Sequence, residues 1–262
     1  MRPLRIAIVG PGRLGRSARK LLGATRWEVT VVGRGEPIPK RPLTWLTVPD
    51  RAIAEAAAAT PVGGVVLHAS GASTVEVLRP HRPAGSLHPL MTFPGPEVGL
   101  PDAARGVPAA VAGDAEAREA AHELADALGF SAFEVPGDRR LYHAAAVLAG
   151  NFATVLLAEA SQLLAAAGVD AARAPALLAP LALASLENAA ASTPSRALTG
   201  PVARGDNDVI EGHLDAIRAS GHRDAQQTYE VLLEGARRLA ASTTEKIVSG
   251  AEDPASRVRT QE

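Results

Sequence analysis

The strongest constraint on this chain lies within its first fifteen residues. Leu4 to Val9 reads as a β-strand, Gly10-Pro11-Gly12-Arg13-Leu14-Gly15 follows it, and a helical stretch runs from Gly12 to Gly23. The spacing G-x-G-x-x-G is weak alone, but between a strand and a helix it has a physical meaning. Gly10 allows the tight turn, Gly12 lets backbone approach a diphosphate, and Gly15 lets the helix pack closely on the strand. The unpaired N–H groups and the dipole of the helix N-terminus then attract the phosphates. Gly10, Pro11, Gly12, Arg13, Leu14 and Gly15 are therefore the expected dinucleotide-binding loop.

The second strand, Trp27 to Val32, bears on which dinucleotide. A carboxylate at its end would take the ribose hydroxyls of NAD. Here the strand runs out as Val31-Val32-Gly33-Arg34, and an arginine fork suits a 2′-phosphate. Gly33 and Arg34, with Arg13 assisting, point to NADP. A continuous apolar run from Gly63 to Ala69 reads as a strand buried on both faces. It ends at Ser70-Gly71, which either line the nicotinamide ribose or form a plain strand-to-helix turn.

Further strands are expected at Leu43 to Val48, Ala84 to Leu87, Val107 to Ala112 and Ala132 to Val135. Helices are expected from Asp50, read as an N-cap, through Ala59, and over Asp114 to Leu128. Such alternation predicts a mostly parallel sheet in an α/β Rossmann-type domain. At Pro136-Gly137 the pattern changes, and from Asp138 only helical stretches follow: Arg139 to Gly168, Ala171 to Ala191, Asn207 to Ser220 and Arg223 to Ser249. The expected organisation is an NADP-binding domain over 1–136, an all-α substrate and dimerisation domain over 137–250, and a disordered polar tail over 251–262.

The 262 residues contain no cysteine, which removes disulfides and thiolate chemistry. A formal net charge of -1 gives no basic field for nucleic acid. The apolar region from Ala144 to Val169 is interrupted by Asn151, Glu159, Ser161 and Gln162, so it reads as a buried helix and not a membrane span. A strand that begins at Arg5 leaves no space for a secretory leader, and a cytoplasmic location is expected. No H-E-x-x-H and no close His/Asp cluster suggests a metal, and no G-x-S-x-G elbow suggests hydrolysis.

The phosphate loop occurs together with Leu87-His88-Pro89-Leu90-Met91-Thr92-Phe93, Tyr142-His143 through Asn151, and Leu198-Thr199-Gly200-Pro201. In that order these segments resemble the Rossmann-like oxidoreductases whose helical half is a domain of unknown function, DUF2520. More distantly the chain is similar to ketopantoate reductase, pyrroline-5-carboxylate reductase and the β-hydroxyacid dehydrogenases. The resemblance implies NADP, a cleft between a Rossmann and an all-α domain, and a homodimer built through the helices.

Hydride transfer to a carbonyl needs an acid for the nascent alkoxide and donors for the substrate. Against the ketopantoate reductase pattern, His143 stands where that family has a lysine, Val147 replaces its first asparagine, and Asn151 matches its second. His143 and Asn151 are thus the candidate catalytic pair, though a helix-start histidine satisfied by local backbone reads equally well. His88, Asn188 and Thr199 are candidate substrate contacts. The expected activity is NADPH-dependent reduction of a small carbonyl, such as a 2-keto acid like ketopantoate. The alternatives are an imine reductase similar to pyrroline-5-carboxylate reductase, which needs no strong acid, and a non-catalytic NADP-binding sensor.

Overall fold

A computed structural model describes residues 4–93 and 106–248, with side chains through 242. The chain forms two compact units, Met1–Asn151 and Phe152–Glu262.

The first unit is a seven-stranded sheet with helices on both faces. Its strands are β1 (Leu4–Val9), β2 (Trp27–Val32), β3 (Leu43–Leu46), β4 (Val65–His68), β5 (Ala84–Pro89), β6 (Pro108–Gly113) and β7 (Ser131–Glu134), in the order β2-β1-β3-β4-β5-β6-β7. The first five are parallel, β6 is antiparallel to β5, and β7 is parallel to β6. Side-chain alternation divides the core. Ile6, Ile8, Trp45, Leu67 and Leu87 face one way and pack with α1 (Arg13–Leu22) and α3 (Ala115–Leu128). Val9, Leu46, Val66 and Ala84 face the other way with Ile53 and Ala57 of α2 (Ile53–Ala59). The chain leaves β1 for β2 on one side and returns to β3 on the other. The crevice between β1 and β3 is therefore the topological switch point, where open α/β sheets bind ligands.

Asp50 does not cap a helix. Residues Asp50–Ala52 form a 3-10 turn before α2, and the carboxylate instead accepts a hydrogen bond from Ser70 Oγ at 2.8 Å. The unit ends with α4 (Arg139–Ala149), whose N-cap Asp138 accepts from Arg140 N–H.

The second unit is all-α: α5 (Asn151–Ala166), α6 (Ala174–Ala191), the short α7 (Pro194–Ala197) and α8 (Pro201–Arg204), α9 (Asn207–Ser220) and α10 (Arg223–Val248). The single helix expected over Arg139 to Gly168 is divided at Gly150, which stays in the right-handed helical region at φ -103 and ψ -69 but lies outside both α4 and α5. The expectation that it is a buried helix is corrected. Along α5 only Ser161 is buried, while Phe152 and Val155 are about half exposed. Leu181, Leu183 and Leu186 of α6 are likewise exposed. Sequence periodicity registered apolarity all round these helices, but apolarity alone does not say what covers them. By length and composition, Arg139–Ala166 and Ala174–Ala191 would each suffice to cross a membrane. The tail expected to be disordered lies outside the described residues.

Candidate active site

Parallel strands bring the carboxyl ends of β1 to β5 to one edge of the sheet, and the site is built there. At the end of β1, Gly10 has φ +112, and a Cβ on it would lie 2.8 Å from Thr47 O. Thr47 Oγ1 donates to the carbonyls of Val9 and Gly10 at 3.1 and 2.8 Å and holds the loop. A Cβ on Gly15 would stand 2.1 Å from Gly10 O, so the helix can sit this close to the strand only with glycine there. Gly12, by contrast, faces open space, with nothing within 4 Å of the position of its missing Cβ. A bare, accessible backbone at the N-terminus of a ten-residue helix is what a diphosphate requires, and the loop fits a dinucleotide. Pro11, Arg13 and Leu14 lie in the same loop and first turn, with Pro11 and Arg13 exposed. Arg16 Nε donates to Pro11 O at 2.7 Å and fixes the outer side of the turn.

At the end of β2 one sequence expectation needs correction. The strand end is not free of carboxylate. Gly33-Arg34-Gly35-Glu36 folds back through Gly35 at φ +80, and Glu36 Oε2 accepts the Gly33 N–H at 2.7 Å. The carboxylate lies three residues beyond the strand, outside the place where a linear reading looks. Arg34 is exposed and makes no side-chain hydrogen bond or ion pair with another described residue.

The ends of β4 and β5 carry a cluster that the sequence suggested only in fragments. His68 is fully buried, and its Nδ1 accepts the Ser70 N–H at 3.1 Å. Its proton therefore resides on the buried Nε2. Burial first, then the charge of Arg139, push His68 to about 4, against Asp50 and the Thr74 backbone. Ser70 is fully engaged within the protein. Its Oγ donates to Asp50 and accepts from the N–H groups of Ala72 and Ser73, and its carbonyl accepts from Arg139 Nη2 at 3.0 Å.

Gly71 lies against two imidazoles. A Cβ added to it would stand 2.7 Å from His143 Cδ2, 2.9 Å from His88 Cε1 and 3.0 Å from His88 Nε2. The His88 and His143 rings are 6.1 Å apart, centroid to centroid. His88 Nδ1 and Tyr142 Oη are hydrogen-bonded at 2.7 Å. Phenol is the stronger acid and imidazole the stronger base, so Tyr142 donates and the His88 proton sits on Nε2, the nitrogen facing Gly71. Burial, then the nearby His143 and Arg139, hold His88 at about 4. Burial likewise raises Tyr142. Both groups are thus neutral near pH 7.

Two sequence candidates, His88 and His143, therefore meet around a third, Gly71. Asn151 begins α5, is exposed, and its side chain makes no hydrogen bond to another described residue. Asn188 in α6 and Thr199 before α8 belong to the second unit, and both are exposed. Sequence reasoning missed Arg139, His68 and the role of Tyr142. Two signals were available. A histidine closes the apolar strand Val65-Val66-Leu67-His68, and a buried polar group requires a reason. A cation opens α4, where the helix dipole disfavours one.

No curated protein matches the chain. Among solved structures it is similar to protein TM1727 from Thermotoga maritima, at 22% identity and TM-score 0.70 over 91% of this chain and 99% of that one. It is also similar to a reductive aminase from Aspergillus terreus solved with NADPH and ethyl levulinate, at 18% identity and TM-score 0.62 over 91% and 97%. A third likeness is 1-pyrroline-5-carboxylate reductase from Streptococcus pyogenes, at 14% identity and TM-score 0.59 over 91% and 100%. At these identities the likeness establishes the fold. Residues 107–235 match the family described as a domain of unknown function, DUF2520. The chain is therefore a Rossmann-type unit followed by an all-α unit, and its residues 107–235 are similar to the DUF2520 family.

Proposed function

We propose that the chain is an NADP-dependent oxidoreductase that reduces a C=N bond. The observation that carries this reading is the neutral His88–Tyr142 pair beside His143 at the carboxyl edge of the sheet, with no lysine among these groups. A ketone oxygen is too weak a base to be protonated beforehand, so its reduction calls for a general acid that protonates the alkoxide as it forms. His88, held at about 4, is not a cationic acid near neutral pH. An imine nitrogen is basic enough to accept a proton before or during reduction, and a neutral donor suffices. NADPH, when bound, supplies the hydride. Tyr142 fixes the tautomer of His88 by donating to Nδ1; the imine takes its proton from solvent, the hydride would add to its carbon, and Nε2–H of His88 donates to the nitrogen lone pair that this addition creates. His143 closes the far side of the same space. The loop from Gly10 to Gly15 holds the diphosphate, Arg34 attracts the 2′-phosphate, and Gly71 keeps the backbone low beside the reacting groups.

Two features support this over reduction of a 2-keto acid. Lysine occurs only at positions 20, 40 and 246, none of them in the cluster. The reductive aminase and the pyrroline-5-carboxylate reductase to which the fold is similar both act, by their names, on C=N chemistry. The helical unit presents apolar α5 and α6 surfaces that a second copy of the chain would cover, giving a homodimer. The test is NADPH oxidation by the purified protein with cyclic imines and with 2-keto acids in parallel. Turnover of imines alone supports the proposal, and turnover of keto acids alone overturns it.

A further inference from the structure

Residues three and four apart on a helix are neighbours, so the first turn of α4 brings Arg139, Tyr142 and His143 to one face. Tyr142 and His143 take part in the chemistry above, and Arg139 does not. It is only 9% exposed. Nη2 donates to the Ser70 carbonyl at 3.0 Å, and Cζ lies 5.9 Å from the centroid of the Tyr142 ring. Nε and Nη1 are buried without a hydrogen-bond partner, and no carboxylate is paired with the guanidinium among the described residues. Burial lowers its affinity for its proton, but an arginine remains charged in a protein. Taking such a cation out of water is costly, and the neighbours on which its charge acts are the groups of the site.

Five such groups bear on His88: Tyr142, His143 and Arg139 of α4, Asp50 beyond β3, and His68 at the end of β4. Asp50 is the one anion among them, and it is exposed. Burial is the first cause that holds His88 at about 4, His143 and Arg139 act in the same direction, and Asp50 acts against them. The guanidinium also works on the phenol. Burial raises Tyr142, and Arg139 opposes that rise by favouring release of the Oη proton. A more acidic phenol is a better donor to His88 Nδ1, and a bare Nδ1 is what leaves the His88 proton on Nε2. Protonating His88 would put a second proton on Nδ1, where the phenol hydrogen already points, and a second positive charge in the neighbourhood of the guanidinium. One fixed cation disfavours both. We propose that Arg139 is a positioning residue whose buried charge, anchored on the Ser70 carbonyl and lying against the Tyr142 ring, locks one proton arrangement: Tyr142 donating to Nδ1, and the His88 proton on Nε2 facing Gly71. This rests on the reading of His88 as the donor of a C=N reduction site, and it adds the group that sets that donor.

The test reads the histidine itself. Long-range 1H–15N NMR of the full chain distinguishes a protonated ring nitrogen from a bare one, with His88 assigned by the loss of its signals in His88→Gln. Wild type is expected to show Nε2 protonated and Nδ1 bare, with a titration midpoint of about 4. In Arg139→Gln, and in Arg139→Met, which replaces the cation by an apolar chain, the midpoint should rise by about 0.5–1 on the pH scale. The Nδ1-protonated tautomer should become detectable in both. Arg139→Lys keeps the charge and loses the planar fork, so its midpoint should stay at the wild-type value. A wild-type His88 that titrates near its ordinary 6.5, or that carries its neutral proton on Nδ1, overturns the proposal and needs no variant. Midpoint and tautomer unmoved in the uncharged variants overturn it too. A shift as large in Arg139→Lys as in Arg139→Gln also overturns it, because the fork and not the charge is then at work. No substrate enters these spectra. If they come out as expected while no imine oxidises NADPH, the reading of the reaction has failed and the role of Arg139 stands.

Discussion

Replacing Gly71 by alanine perturbs the centre of the site with a single methyl group. The added carbon would lie 2.7 Å from His143 Cδ2 and 2.9 Å from His88 Cε1, where normal contacts begin nearly an ångström further out. The backbone at Gly71 is not in the left-handed region, so the effect is one of packing and not of torsion. Both imidazoles must turn aside. Overpacking a buried position costs about 1–3 kcal/mol. Turning His88 also breaks its bond to Tyr142, worth about 0.5–1.5 kcal/mol. Together these amount to roughly 2–4 kcal/mol, or a fall in Tm of about 5–10 °C for a unit of this size. Thermal denaturation followed by circular dichroism measures it, with imidazole NMR resonances reporting the ring positions. The matching control is Gly212→Ala, at an exposed helical position with nothing within 4 Å of the new Cβ. That change should stabilise the protein by about 0.5–1 kcal/mol. A Gly71→Ala protein as stable as wild type, with unmoved imidazole resonances, would refute the packing described around Gly71.

Other consequences are open to measurement. His68 is held at about 4 against an ordinary 6.5, so between those values the unfolded chain binds the extra proton. Its contribution to stability is complete above pH 6.5 and is lost as pH falls toward 4, by up to about 3 kcal/mol; urea midpoints that stay flat over this window would contradict it. Tyr142→Phe removes the donor that orients His88, and kcat should fall about tenfold to a hundredfold with little change in NADPH affinity. Arg34→Ala should weaken NADPH about tenfold or more and leave NADH unchanged. Glu36→Gln should improve NADPH relative to NADH, because it removes a negative charge beside Gly33; both are read by cofactor titration. Light scattering should show a dimer, and glutamate at Leu181 and Leu186 should dissociate it, whereas a monomeric wild type would contradict the proposed pairing.

Much of the Rossmann unit is written locally in the chain. Trp27–Val32 follows from a β-branched and aromatic run broken only by Glu28, and the β1–loop–α1 unit follows from glycines that hypothetical Cβ contacts at 2.1 and 2.8 Å require. The Gly15–Gly10 approach lies within the motif, whereas Gly10 meets Thr47 at the end of β3, 37 residues on, and only the fixed glycine spacing makes the loop legible. The rest of the site is non-local. Asp50 meets Ser70, His88 meets Tyr142, and Arg139 meets the Ser70 carbonyl across sequence separations of 20, 54 and 69 residues. No periodicity encodes which of these partners converge, since strand order and register decide it. Glu36 escaped notice for a smaller reason. A turn with positive φ at Gly35 returns it to the strand end it had seemed to leave. The helices of the second unit were legible in position but not in exposure, because an alanine- and leucine-rich helix looks the same whether its own chain or another covers it.

The central claim is that neutral groups at the ends of β4 and β5 reduce C=N and not C=O. The most direct measurement follows NADPH absorbance with cyclic imines and a panel of 2-keto acids, using wild type and Tyr142→Phe side by side. The account predicts turnover of imines and a loss of that turnover in the variant. Rapid reduction of a 2-keto acid with the imines inert, or imine turnover indifferent to Tyr142, would contradict it.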